Sequence, residues 1–312
     1  MKPKVHIVLV NWNSWGETSA CLASLESLQY SNRKVIIVDN GSVDDSVSRI
    51  RERFPWAEVI QTGKNLGFPK GSNVGIRQAL LEGTDYVWLL NNDAIADPLA
   101  LDALVAKAEG DSQLGAVGSA IYCLENPTDL QAWGGGYVNF WLGRARHFIK
   151  EVPDAKVQYI TGASLLIPAR ALKSVGLLDE ALFLYWDDPE YCWRLKAHGW
   201  KLGVARDSKI WHKGASAWGG SARLDTFYSV SAVHFFSRYA PVPWFPLWVG
   251  MLLRVAKRVL HGEWKRIPAI WAGFRQGLSG STGPSSGPLQ NDEKSQLSDS
   301  GLASSCSALP NR

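Results

Sequence analysis

The chain has 312 residues, with 33 Lys and Arg against 29 Asp and Glu, a formal net charge of +4. With 46% hydrophobic and 20% charged residues it is neither disordered nor fibrous, and it is long enough for one large domain or two modest ones. So small a charge gives no ground for a nucleic-acid partner, and none is expected.

Residues 5–10 form a short apolar run, too short for the core of a signal peptide, and read as a first strand. Helical spacing follows at 18–28, a second apolar run at 35–38, a helix at 46–54, a strand at 58–62, a helix at 73–81 and a strand at 86–90. This alternation predicts a mostly parallel sheet with helices on both faces. Residues 114–122 and 159–167 add two strands, with a Gly-rich turn or hairpin at Trp133 to Tyr137 between them. From Ser279 the chain is polar and without periodicity, which predicts a disordered tail. The cysteines, Cys21, Cys123, Cys192 and Cys306, lack metal or redox spacing. The apolar uncharged stretch at 239–253 holds three prolines and falls short of the about 20 apolar residues of a spanning helix. No span and a cytosolic location are therefore expected.

In an open α/β sheet, ligands bind beyond the carboxyl ends of the strands. The residues there are Asn11-Trp12-Asn13-Ser14, Asp39-Asn40-Gly41-Ser42 and Asn91-Asn92-Asp93. Neither Gly-x-Gly-x-x-Gly after the first strand nor a P-loop is present. Asp39 is either an acceptor for a base or ribose, or a turn residue. The loop at 63–73, with Asn65, Gly71 and Asn73, is open enough to approach phosphates. A carboxylate at the edge, Asp93, suits a divalent cation on phosphate oxygens, since Asp97 and Pro98 already supply a helix start.

Pro189 at the first helical position would make Asp188 a helix cap. One carboxylate satisfies a cap; Asp187, Asp188 and Glu190 together point to a carboxylate that meets a substrate hydroxyl. His212 ends a further strand, either as a structural histidine or as part of a metal site.

Taken in order, Val10-Asn11-Trp12-Asn13, Val38-Asp39-Asn40-Gly41-Ser42, Asn65-x-Gly67-Phe68 with Asn73-x-Gly75, Leu89-Leu90-Asn91-Asn92-Asp93, Asp187-Asp188-Pro189-Glu190 and Trp211-His212 resemble the family 2 glycosyltransferases. The likeness is to bacterial rhamnosyltransferase and galactofuranosyltransferase-like members, and it covers about residues 5–215. It implies a GT-A fold, an α/β architecture, in a domain at 1–220. A C-terminal helical segment at 221–278 and a disordered tail at 279–312 would follow. The implied activity is inverting transfer from a dTDP- or UDP-linked sugar to a lipid-linked or polysaccharide acceptor.

By the same resemblance Asp39 holds the nucleoside, and Asn11, Asn13, Asn65, Gly71, Asn73, Asn91 and Asn92 line the nucleotide-sugar site. Asp93 and His212 hold Mn²⁺ or Mg²⁺, and Asp188 is the base. Trp133, Trp186, Asp187 and Arg194 stand on the acceptor side. The metal motif departs from the family's in offering one carboxylate only. Two other readings are a sugar-1-phosphate nucleotidyltransferase and a non-catalytic carbohydrate-binding module. The first wants a basic Gly-rich loop after the first strand, and residues 11–16 hold no Lys or Arg.

Between Arg254 and Arg275 six basic residues face Glu263 alone, a net of +5, which leaves the rest of the chain at about −1. Arg254, Lys257, Arg258 and His261 recur on one helical face, and Trp248, Leu252, Val255 and Val259 on another. This is the pattern of a basic amphipathic helix on an anionic membrane, peripheral to its inner face, or of a helix packed on its own domain with a solvated basic side.

Overall fold

The computed structural model describes residues 2–213 and 221–280, so most of the expected tail lies outside the described residues. The first half alternates as its apolar runs require: β1 (Val5–Asn11), α1 (Trp15–Glu26), β2 (Arg33–Asp39), α2 (Ser46–Arg53), β3 (Glu58–Gln61), α3 (Phe68–Leu81) and β4 (Tyr86–Leu90). The strands lie in the order β3-β2-β1-β4, all parallel. Helix α3 starts five residues before the periodicity suggests, with Pro69 in its first turn and Gly67 (φ +84°) just before it. It lies close on the sheet because Gly75 has no side chain: a Cβ there would sit 2.5 Å from Val8 Cγ1.

The second half contains β5 (Ala94–Ala96), α4 (Ala100–Gly110), β6 (Leu114–Cys123), β7 (Leu130–Trp133), β8 (Gly135–Asn139), β9 (Arg144–His147), β10 (Tyr159–Ile160), β11 (Ser164–Pro168), α5 (Ala169–Val175), α6 (Asp187–Ala197) and β12 (Lys201–His212). Here the sheet is mixed rather than mostly parallel. β11 runs antiparallel between β4 and β6, β12 is parallel to β6, and β5 is antiparallel at the edge. The reason lies at residues 159–167, expected as one strand. They divide into β10, which joins β8 and β9 in a small second sheet, and β11, with a turn at Thr161-Gly162-Ala163 between them. That turn sits at the carboxyl end of β4, where Asn91 N–H donates to the Ala163 carbonyl (3.1 Å), so β11 returns antiparallel.

Two apolar cores fill the space on either side of the sheet. The C-terminal helices α7 (Ala222–Tyr239), α8 (Trp244–Leu260) and α9 (Ile267–Leu278) build onto one of them, with Phe235 and Phe236 of α7 each 4.9 Å from the Trp186 ring. The expected solvated basic face of α8 does not form as one face. Asp225 of α7 is buried, and a buried carboxylate needs counter-charges. Arg254 and Arg258 therefore turn inward to its Oδ1 (3.0 and 2.8 Å), and Arg266 to its Oδ2 (2.8 Å). Lys257 and His261 remain outside. Among the described residues no helix is long and apolar enough to cross a membrane.

Candidate active site

The strand ends converge because β1 and β2 end in register, Asn11 beside Asp39. Asn11 Nδ2 donates to Asp39 Oδ1 (2.9 Å), and the Ser42 N–H donates to Asp39 Oδ2 (3.1 Å). Thr18 of α1 joins the other strand end, donating to Asn11 Oδ1 and accepting from Asn92 Nδ2, both at 2.8 Å. Asn13 (φ +49°) folds its turn back, accepting from the Val43 N–H while its own N–H donates to Ser42 Oγ. On the other side Asn40 Nδ2 donates to Asn65 Oδ1 (3.1 Å) and to the Gly67 carbonyl (3.0 Å). Asp39 is buried with a donor on each oxygen, fixed in place at the strand edge.

Residues 93 and 212 meet through strand register. β5 runs along β12 so that Ala94 pairs with His212, which places Asp93 Oδ1 3.1 Å from His212 Nε2. In the tautomer that donates from Nδ1 to Gln131 Oε1 (2.9 Å), His212 turns its Nε2 lone pair to the carboxylate and to Asn91 Nδ2. A lone pair and a carboxylate oxygen repel unless a cation lies between them. Ligands about 2.1 Å from one octahedral ion stand about 3.0 Å apart, so this donor pair fits Mn²⁺ or Mg²⁺. Among the described residues no group of three or more His, Cys, Asp or Glu side chains is placed to hold a metal, so the remaining ligands would be diphosphate oxygens or water.

The acidic segment resolves into three different environments. Helix α6 begins at Asp187 after Tyr185 and Trp186, both with positive φ (68° and 63°), so Asp188 lies in the first turn and does not cap it. Left-handed aromatic residues store strain of the kind found at functional sites. Asp188 Oδ2 accepts the Gly162 N–H (3.2 Å), from the turn that separates β10 from β11. Burial pushes the Asp188 carboxyl above the usual carboxylate range, with the Gly162 amide and Thr161 hydroxyl opposing the rise. Burial and the neighbouring Asp188 charge push Asp187 up as well. Glu190 is wholly buried and bound by Arg194 and Tyr239. Only Asp188 combines a raised carboxyl with partial exposure to solvent. This is the setting of a general base.

Several expected contacts lie elsewhere. Asn73 Nδ2 donates to the Leu178 carbonyl and Glu180, and its Oδ1 accepts from the Leu178 N–H, so it clamps the 178–180 loop. Gly71 is a packing position, since a Cβ would stand 3.2 Å from Asn40 Nδ2. Trp133 and Trp186 are buried in the apolar core, where a large ring is more stable than at a sugar face. Arg194 spends most of its guanidinium on Glu190 and on the Val175 and Leu177 carbonyls. Sequence reasoning did not single out Thr18, Gln131, Thr161 or Gly162. The small polar residues on α1 and in the 161–163 turn carry a weak local signal, and they gain meaning only from partners far along the chain.

The family described as "Glycosyltransferase like family 2" matches residues 3–226. The chain belongs to glycosyltransferase family 2. It is 26% identical to the N-acetylglucosaminyl-diphospho-decaprenol L-rhamnosyltransferase of Mycobacterium tuberculosis, over 68% of this chain and 77% of that protein. The galactofuranosyltransferase GlfT1 of the same organism is 31% identical, over 57% and 60%. The dTDP-rhamnosyl transferase RfbF of Shigella flexneri is 23% identical, over 68% and 70%. The mannosyltransferase PcManGT of Pyrobaculum calidifontis, solved with GDP-Man and Mn²⁺, superposes with a TM-score of 0.58 over 89% of this chain and 88% of that one, at 16% identity. That likeness shows the shared GT-A fold.

Proposed function

We propose that this glycosyltransferase moves a rhamnose-like or galactofuranose-like sugar, with inversion, from a dTDP- or UDP-linked donor to a hydroxyl of a lipid-linked or polysaccharide acceptor. It would act on the cytoplasmic side, peripheral to the membrane. Support comes chiefly from Asp188, a partly open carboxyl with a raised pKa. The turn that holds it is tied to Asn91, two residues from Asp93. The activities of the relatives favour this donor and acceptor class over a nucleotidyltransferase or a binding module.

Asp188 takes the proton of the acceptor hydroxyl as that oxygen attacks the anomeric carbon and the bond to the diphosphate breaks. Attack from the face opposite the leaving group inverts the centre. The strand-end network of Asn11, Asp39 and Ser42 positions the nucleoside, which lowers the entropy cost of alignment. Asp93 and His212 would hold the divalent cation, which when bound neutralises charge developing on the leaving diphosphate.

The test is Asp188→Asn, with Asp187→Asn as its companion. Loss of transfer by about 10³-fold or more in the first variant, with nucleotide binding kept in a fluorescence titration, is expected. Turnover retained by Asp188→Asn overturns the assignment.

A further inference from the structure

Helix α8 buries Pro246, Leu247, Gly250 and Met251, yet keeps a second apolar face outside. Its charged side chains Arg254 and Arg258 face the protein, where Asp225 holds them. Its solvent-facing arc carries Trp244 (64% exposed), Trp248, Leu252, Leu253 and Leu260 (83%). At 100° per residue these five positions sweep about half the helix surface, and no charged residue interrupts them. The apolar surface continues onto Trp264 and Trp271, and onto Trp141 of the β8–β9 turn, whose ring meets Phe245 at 5.5 Å. Of the sixteen large apolar side chains exposed among the described residues, nine lie in 242–278. Scattered single apolar residues need no explanation, but a contiguous patch of this kind marks a surface that something covers.

We propose that the outward face of α8, extended by Trp264 and Trp271, seats this protein in the boundary between headgroups and acyl chains of an anionic phospholipid bilayer. Charge decides between lipid and a second copy. Lys257, Lys265 and Arg275 are exposed around the patch without an ion pair among the described residues. The nearby acid, Glu263, is already bound by Arg258 and Arg266. Two copies meeting on this face would bring cations together with no acid to pair them, whereas anionic headgroups complement all three. Tryptophan and leucine on one arc suit an interface that is apolar at depth and polar at its rim. A 17-residue helix lying in the plane contributes a footprint about 25 Å long. It is therefore the apolar side of α8 that meets the bilayer, with its arginines spent on Asp225. The β8–β9 hairpin, whose turn packs on α8, pairs through β8 with the strand preceding the Asp188 turn, which links the bilayer surface to the acceptor side.

This surface deepens the peripheral membrane placement proposed above and does not depend on the transfer chemistry. The full chain is floated with vesicles of phosphatidylcholine alone and with added phosphatidylglycerol. Leu252→Asp with Leu260→Asp is compared with Lys257→Glu with Lys265→Glu, each checked by thermal melting, and all four positions are exposed. The expected result is binding to anionic vesicles that falls at least about 10-fold in the apolar pair, on all vesicles. The charge pair should lose binding on anionic vesicles only. Transfer to a water-soluble acceptor, where present, stays unchanged. Wild-type protein left unbound by both vesicle types, or a dimer that Leu252→Asp dissociates, overturns the proposal. Vesicle binding without any transferase activity would instead leave this surface standing and count against the proposed function alone.

Discussion

Replacing Glu190 by Gln tests whether the third acid of the Asp187-Asp188-Pro189-Glu190 segment is structural. Arg194 Nε donates to Glu190 Oε1 at 2.8 Å and Oε2 at 3.0 Å, Arg194 Nη2 donates to Oε2 at 2.9 Å, and the Tyr239 hydroxyl donates to Oε1 at 2.9 Å. Glu190→Gln keeps the shape, so no cavity opens, but it removes the charge from a buried pair. Breaking such a pair on one side costs about 3–5 kcal/mol. The Arg194 side chain is 23% exposed and keeps the Val175 and Leu177 carbonyls, which places the cost near the lower end, about 3 kcal/mol. With a urea slope of about 3 kcal/mol/M, the unfolding midpoint read by tryptophan fluorescence falls by about 1 M. Exchanging both partners for apolar residues of similar volume, Glu190→Leu with Arg194→Met, should recover much of the loss, because no lone charge is left buried. A loss below about 1 kcal/mol in Glu190→Gln would refute the clamp and reopen Glu190 as a candidate base.

Asn73→Ala should destabilise the protein by about 2–3 kcal/mol, since two hydrogen bonds to the buried Leu178 backbone go, while nucleotide affinity stays within about 2-fold. Unchanged stability with weakened nucleotide binding would return Asn73 to the donor site. Acid should unfold the protein through Glu82 and His6, paired at 3.0 Å. Hydrogen bonds from Lys34, then His6 and Gln78, hold Glu82 at about 2, below its ordinary 4.5, so its contribution is full above about pH 4.5 and is lost toward pH 2. Burial lowers His6 from 6.5, so its term is likewise full above that value and lost as pH falls. Melting temperatures should drop steadily from pH 7 to pH 3, with a flatter slope below pH 4.5 in Glu82→Gln; equal slopes count against the assignment. Asp93→Asn and His212→Ala should each weaken the Mn²⁺-dependent part of nucleotide binding by at least about 10-fold, and Gln131→Leu by about 10-fold through the His212 tautomer. Titrations with and without the ion decide this, and a variant with the full Mn²⁺ response removes that residue from the set.

Sequence alone determined the first four strands and the polar residues at their carboxyl ends. An apolar run bounded by Asn or Asp is a local signal, and parallel strands with short connections bring such ends to one side. It also singled out Asp39, Asp93, Asp188 and His212 as candidates. Tertiary structure decided what no local window contains. The Asp93–His212 pair exists only through the register of β5 on β12, and the hold on Asp188 only through the three-residue break in what reads as one strand. Glu190 and Asp188 look alike in sequence and differ because Arg194 and Tyr239 close around one of them. The largest difference is α8, whose pattern is amphipathic whichever face is buried. Periodicity reports that two faces differ; the carboxylate of Asp225, buried on α7, is what drew the arginines inward and left the tryptophans outside.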